Sequence, residues 1–321
     1  MTIRVSAIRR AIENSAEIDL SDQTLLPDML TSAIVGVDLS DLGVVRNRAN
    51  EEISIDLPAD KLNYPRLLST ARAAYRGGID YVTLNDSFRM GPDESKDHAF
   101  DALSVATRLI EVSQAGIIAA VPSDASAVRR GTKEFTSVFI PDSSNVWPGV
   151  LIRMYDDSDF DALKAAADEA REHGLKVRVL VRNPEFTMQY VDVLASIADS
   201  IRLQSNDVHN GRALRFALRD AASQYGRDVR VVTDVGVVIS SSVQAAEERA
   251  KLLAAMNGEE LFAGITSVIG TVYDVADAIE RLVGLGVADG ITFIPASFPT
   301  DLASIMKGVL PLVEARAGLE A

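Results

Sequence analysis

Gly149-Val150-Leu151-Ile152-Arg153-Met154, then Tyr155-Asp156-Asp157-Ser158-Asp159 and a polar-apolar stretch to Gly174, then Val177-Arg178-Val179-Leu180-Val181, is the segment that decides the fold. Two short aliphatic runs flank a stretch in which Phe160, Leu163, Ala167 and Ala170 recur at helical spacing. Asp157-Ser158-Asp159 offers capping oxygens at the start of that helix, and Gly174 supplies a residue that tolerates a left-handed end. Strand, helix, strand with a short connection on each side is the unit of a parallel sheet.

The same unit recurs on both sides. Towards the N-terminus, strands are expected at Ala33–Val37, Tyr81–Leu84 and Gly116–Val121, with helices over Tyr64–Tyr75 and Phe100–Val112 between them. The connection Pro122–Pro148 carries few aliphatic residues and is expected to be irregular. Towards the C-terminus, strands are expected at Ser200–Gln204, Val229–Thr233 and Gly290–Ile294, and helices over Val243–Met256, Val272–Val283 and Asp301–Ala317. Eight strands point to a (β/α)8 TIM barrel over residues 32–321, one domain preceded by an N-terminal extension, residues 1–31. A doubly wound sheet can be built from the same units, but neither G-x-G-x-x-G nor G-x-x-x-x-G-K-[ST] occurs to support it.

Composition narrows the function. The net charge of −14 opposes binding to nucleic acid or to an anionic membrane face. With no cysteine, the chain has no thiolate metal ligand, thiol nucleophile or disulfide, which suits a reducing, cytoplasmic setting. The start Met1-Thr2-Ile3-Arg4-Val5 shows no apolar signal core, and no stretch is long and apolar enough to span a bilayer. No H-x-H, H-E-x-x-H or carboxylate cluster with metal spacing appears, so no metal is expected; no G-x-S-x-G elbow appears either.

Several ordered segments resemble the luciferase-like monooxygenase family. Gly78-Ile79-Asp80-Tyr81-Val82-Thr83-Leu84-Asn85-Asp86 is similar to that family's second strand, and Phe100–Leu103 through Gly116–Val121 to the following helix and strand. Gly270-Thr271-Val272-Tyr273-Asp274-Val275-Ala276-Asp277, followed by Gly286-Val287-Ala288-Asp289-Gly290-Ile291, is the strongest match. Phe298-Pro299-Thr300-Asp301-Leu302 to Val309-Leu310-Pro311 resembles the closing helix. The resemblance implies a flavin, FMN or the related deazaflavin coenzyme, at the C-terminal mouth of the barrel, a small-molecule substrate, and pairing as a homodimer or as a heterodimer with a paralogue.

The resemblance carries Asp86 and Ser123 to the cofactor's surroundings, as polar positions after strands two and three. The bland alternatives are a loop cap for Asp86 and no cofactor contact for Ser123. Two segments depart from the family pattern. Where relatives show hydroxyl- and amide-bearing residues on strand four, this chain has Met154-Tyr155-Asp156-Asp157, whose carboxylates repel a phosphate. Where relatives show a Gly- and Ser-rich phosphate turn, it has Val181-Arg182-Asn183-Pro184-Glu185. Arg182 can grip an anion through two N–H groups, or pair with a neighbouring acid at the mouth.

Of the three histidines, His173 sits at a helix end where a cation suits the dipole, and His98 opens a helix. His209, after strand six, is the one placed to act as general acid or base, against a solvent-facing position on a first helical turn. Trp147, just before strand four, either lines the mouth or covers the barrel rim, and the rim is the expectation. The functional expectation is therefore a flavin-dependent oxidoreductase or monooxygenase acting on a small organic substrate; the alternative is a non-catalytic barrel of the same descent, without a cofactor, that serves as partner subunit or small-molecule binder. A metal-dependent hydrolase would have to draw on Asp86, Asp156, Asp234 and His209.

Overall fold

A computed structural model describes residues 33–42, 64–88, 101–110, 113, 115–139, 146–155, 158–257, 260–298 and 300–320. The expected extension 1–31, His98, Asp156 and Asp157 lie outside the described residues. In order, the strands are β1 Ile34–Asp38, β2 Tyr81–Leu84, β3 Gly116–Ala120, β4 Pro148–Arg153, β5 Lys176–Val181, β6 Ser200–Leu203, β7 Arg230–Ile239, β8 Thr266–Gly270 and β9 Gly290–Pro295. The helices are α1 Tyr64–Arg76, α2 Ala102–Ile110, α3 Ala125–Val138, α4 Phe160–Glu172, α5 Pro184–Thr187, α6 Val191–Ile197, α7 Val208–Gln224, α8 Val243–Asn257, α9 Val272–Gly284, α10 Thr300–Ser304 and α11 Leu310–Glu320.

Strand order is β6-β5-β4-β3-β2-β1-β9-β7, and β6 pairs back to β7, so eight parallel strands close into a (β/α)8 barrel. The ninth strand, β8, is appended to β7. The chain divides into two compact units, one formed by Val37–Val179 and the other by Leu180–Ala321 with the segment ending at Gly36.

Two expectations are corrected here. The seventh strand does not stop at Thr233 but runs to Ile239; its first half pairs with β6 and its second half with β8, Val235 opposite Thr266 through Ile239 opposite Gly270. Asp234 breaks the apolar run in sequence, yet in the fold it is a fully buried member of the strand because Arg202 neutralises it. β8 itself has only Val268 and Ile269 as aliphatic residues, too short a run to announce a strand. The second correction concerns Pro122–Pro148, which contains the fourteen-residue helix α3. Its buried face is Ala127, Val128, Gly131, Thr132 and Phe135, a helical stripe in which Ala, Gly and Thr outnumber the large apolar residues. Gly131 explains the choice, since a Cβ there would stand 2.7 Å from Val150 Cγ1 on β4.

Most of the segment that decided the fold behaves as read. Asp159 caps α4 by accepting from Ala162 N–H at 3.0 Å, Leu163, Ala167 and Ala170 are buried together with Ala166, and Gly174 takes a φ of +77°, whereas Phe160 is only partly buried and Met154 lies past the end of β4. His173 closes that helix with Nδ1 2.9 Å from the Glu169 carbonyl, a structural role. Trp147 packs at the N-terminal ends of strands: its indole lies against Gly116, with Lys176 Nζ 4.1 Å over the ring. That is the rim opposite the one where barrel enzymes build sites.

The Gly270–Asp289 motif is also accounted for by packing. Thr271 and Asp274 form a reciprocal capping box at the start of α9. Asp289 accepts from Arg215, Arg219 and the N–H of Val231, joining α7, β7 and the start of β9.

Candidate functional site

Barrel sites form at the C-terminal ends of the strands, so the residues there are the ones to examine. Within Val37–Val179, Val150 faces the outer helix α3, and the alternation along β4 therefore turns Arg153 to the inner face. Arg153 brings the two sequence-selected residues of this unit together. Its guanidinium Nη2 lies 2.7 Å from Asp86 Oδ2, and its backbone N–H donates to Ser123 Oγ at 2.8 Å. Asp86 is thus a half-exposed carboxylate held beside a cation, not a free charge. Arg153 went unremarked in the sequence because nothing local pairs it with a residue 67 positions away.

Beside this pair, the ends of β1 and β2 are tied by a second polar cluster. Asp38, buried, accepts from Ser40 N–H at 2.8 Å and from Asn85 Nδ2 at 3.0 Å, and Ser40 Oγ also contacts it. Ser40 Oγ in turn accepts from Asn85 N–H at 2.7 Å, and Asn85 Oδ1 accepts from Ser87. Every acceptor in this knot meets a donor, which is what a buried carboxylate requires. It fixes the loop that carries Asp86. The signal available in sequence was Asp38-Leu39-Ser40 directly after an apolar run.

Within Leu180–Ala321, Leu203 meets Gly211 on the outer helix α7, so its neighbours Arg202 and Gln204 face inward. Arg202 and Asp234 form a bidentate pair, Nε to Oδ1 at 2.8 Å and Nη2 to Oδ2 at 2.9 Å, with both side chains at 0% exposure. Gln204 Nε2 donates to Asp234 Oδ2 at 2.8 Å, and its Oε1 accepts from Arg182 Nε at 3.2 Å. A chain of hydrogen bonds thus runs from the buried pair to exposed Arg182 at the end of β5. Arg182 was expected either to hold an anion or to pair with an acid. Among the described residues, its recorded partner is neutral Gln204, and its terminal nitrogens Nη1 and Nη2 carry no hydrogen bond.

His209 is exposed on the first turn of α7, whose N-cap is Asp207, accepting from Asn210 N–H at 3.0 Å. Among the described residues no hydrogen bond joins it to Arg182 or Gln204. Among the described residues, no three His, Asp or Glu side chains converge as a metal site. Of the carboxylates a hydrolase would recruit, Asp86 is engaged by Arg153 and Asp234 by Arg202.

No family model and no curated protein sequence matches the chain. Solved structures do match it in fold. The EDTA monooxygenase EmoA from Chelativorans sp. BNC1 superposes with a TM-score of 0.65 at 15% identity, covering 89% of this chain and 94% of that one. The riboflavin lyase RcaE, solved with modified FMN and riboflavin, gives 0.62 at 14% identity over 89% and 92%. The coenzyme F420-dependent tetrahydromethanopterin reductase from Methanopyrus kandleri gives 0.57 at 11% identity over 88% and 98%. The chain carries the fold of the luciferase-like monooxygenases, and at these identities the likeness is one of fold. Among the described residues no helix is long and apolar enough to cross a membrane.

Proposed function

We propose that the protein is a flavin-dependent oxidoreductase of the luciferase-like class acting on a small organic substrate, with Arg182 as the group that receives the cofactor's phosphate. The observation that carries this reading is the state of Arg182. It is an exposed guanidinium at the C-terminal end of a barrel strand, its Nε–H held by Gln204 and its other N–H groups directed to no protein acceptor among the described residues. That donor set suits a phosphate monoester or diester, which takes two parallel N–H bonds from an arginine fork. The fold neighbours support a planar redox cofactor, since their names record FMN in one case and coenzyme F420 in another.

The carboxylates after strand four that the sequence sets against a phosphate, Asp156 and Asp157, lie outside the described residues. Asp86, after strand two, shares its charge with Arg153 at 2.7 Å and is not a free anion. Arg153 orients Asp86, and Ser123 fixes the Arg153 backbone. When bound, reduced flavin supplies the demanding chemistry, activating dioxygen or exchanging hydride with substrate. The chain's own residues then bind and orient. Following the resemblance, we also propose assembly as a homodimer or as a heterodimer with a paralogue, which light scattering after size exclusion decides.

The test is co-elution. Purified protein is mixed with FMN, and separately with the deazaflavin coenzyme, then passed over a desalting column. Visible absorbance leaving with the protein, matched to one of the two, supports the reading and chooses the cofactor. Protein that emerges colourless from both mixtures at micromolar concentrations removes it and leaves the alternative, a barrel that serves as partner subunit or binder of another small molecule.

A further inference from the structure

We propose that Gln204 is a positioning residue for Arg182, and that the buried Arg202–Asp234 pair holds the Gln204 amide in the one orientation that allows it. This rests on the reading of Arg182 as an anion receptor and adds to it how that receptor is aimed.

The argument is one of donors and acceptors. A side-chain amide has two faces, an NH2 that donates and an oxygen that accepts, and in isolation it can turn either outward. Asp234 removes that freedom. Its carboxylate is ionised by its bidentate arginine and can only accept, so the Gln204 group facing it at 2.8 Å must be the NH2. The oxygen then faces Arg182, where it accepts Nε–H at 3.2 Å. The backbone fixes the distance, because Gln204 N–H donates to the Val181 carbonyl at 2.8 Å and so registers Gln204 beside the strand end that bears Arg182.

The consequence for Arg182 is geometric. A guanidinium is planar, and a hydrogen bond at Nε sets the direction of that plane. With Nε engaged by a neutral acceptor, the charge stays unneutralised and the two terminal NH2 groups remain to meet an oxyanion. A carboxylate in place of Gln204 would also orient the arginine but would cancel its charge. The arrangement therefore serves an anion receptor better than a salt bridge does. It also gives a reason for the buried pair, which contributes little to stability over apolar residues of the same volume. The ligand chemistry is an oxyanion with two exposed oxygens; a cofactor phosphate and a substrate carboxylate both qualify.

A double-mutant cycle on full-length protein tests this, with FMN, riboflavin and inorganic phosphate as probes. Arg182→Ala and Gln204→Leu are each expected to raise the Kd for FMN by on the order of tenfold. The double variant is expected to be no worse than Arg182→Ala alone, because an unaimed residue that is already gone has no further effect. Riboflavin, which lacks the phosphate, should bind all four proteins alike. If FMN and riboflavin bind wild type equally while phosphate or acetate competes with nothing, the receptor reading falls. If instead a small carboxylate binds and is lost in both variants, the receptor serves the substrate.

Positioning is read without any ligand from the solvent exchange of the Arg182 Nε–H in arginine-labelled protein. It is expected to be slow in wild type and fast in Gln204→Leu. Fast exchange in wild type, or a Gln204→Leu Kd within about twofold of wild type while Arg182→Ala is impaired, overturns the positioning role and leaves the receptor standing.

Discussion

Replacing Asp234 by alanine separates what the buried pair does for stability from what it does for binding. Both members of the pair are at 0% exposure, and Asp234 accepts two N–H bonds from Arg202 and one from Gln204. Asp234→Ala strips a buried guanidinium of its bidentate carboxylate partner, a loss of about 3–5 kcal/mol. With an unfolding entropy of about 2.1 cal/mol/K per residue, a chain of 321 residues shifts Tm by about 1.5 °C per kcal/mol, so the expected fall is roughly 4–8 °C, read by circular dichroism. The double replacement Arg202→Met with Asp234→Leu leaves no charge behind and is expected to recover to within about 1–2 kcal/mol of wild type. It should still bind FMN poorly, because the Gln204 amide is then free to turn and Arg182 is no longer aimed. An Asp234→Ala protein as stable as wild type, or a double variant that melts as early as the single, would refute the reasoning.

Other outcomes follow from single contacts. Gly290→Ala places a Cβ 2.2 Å from the Ile34 carbonyl oxygen, and since that oxygen is backbone the strands must part; a loss of at least about 1–3 kcal/mol is expected in denaturant melts. Asp124→Ala removes the N-cap of α3, whose side chain accepts from Ala127 N–H, at a cost of about 1 kcal/mol. Hydrogen bonds from the Ser126 hydroxyl, then from Ala127 N–H, hold the Asp124 carboxyl below its ordinary value. A depressed carboxyl contributes above the ordinary carboxylate range, near pH 4, and the contribution is lost as pH falls through the lowered value; the variant's deficit should shrink in that window. His209→Gln changes an exposed side chain and is expected to alter turnover by less than about threefold; a loss of about a hundredfold or more would restore His209 as general acid or base.

The barrel was legible because strands buried on both faces read as aliphatic runs, as in Val150-Leu151-Ile152 and Val177 to Val181, and because crossover helices show a one-sided apolar stripe. What escaped did so where that correspondence breaks. The α3 stripe holds only Val128 and Phe135 as large apolar residues among Ala127, Gly131 and Thr132, and at Gly131 β4 approaches too closely for a side chain. β7 continues through a carboxylate that only a distant arginine makes tolerable. The site was less legible than the fold for the same reason. Arg182, Asp86 and Ser123 could be singled out by their places after strands, but their partners Gln204 and Arg153 come from other strands. Periodicity reports what one segment buries, and it is silent on which polar group a neighbouring strand will offer.

The most direct measurement is a crystal structure of the protein grown with FMN. The account predicts the phosphate against Arg182 Nη1 and Nη2, with Nε still on Gln204. Flavin density whose phosphate is held elsewhere, or crystals in which no flavin is bound at millimolar supply, would contradict it.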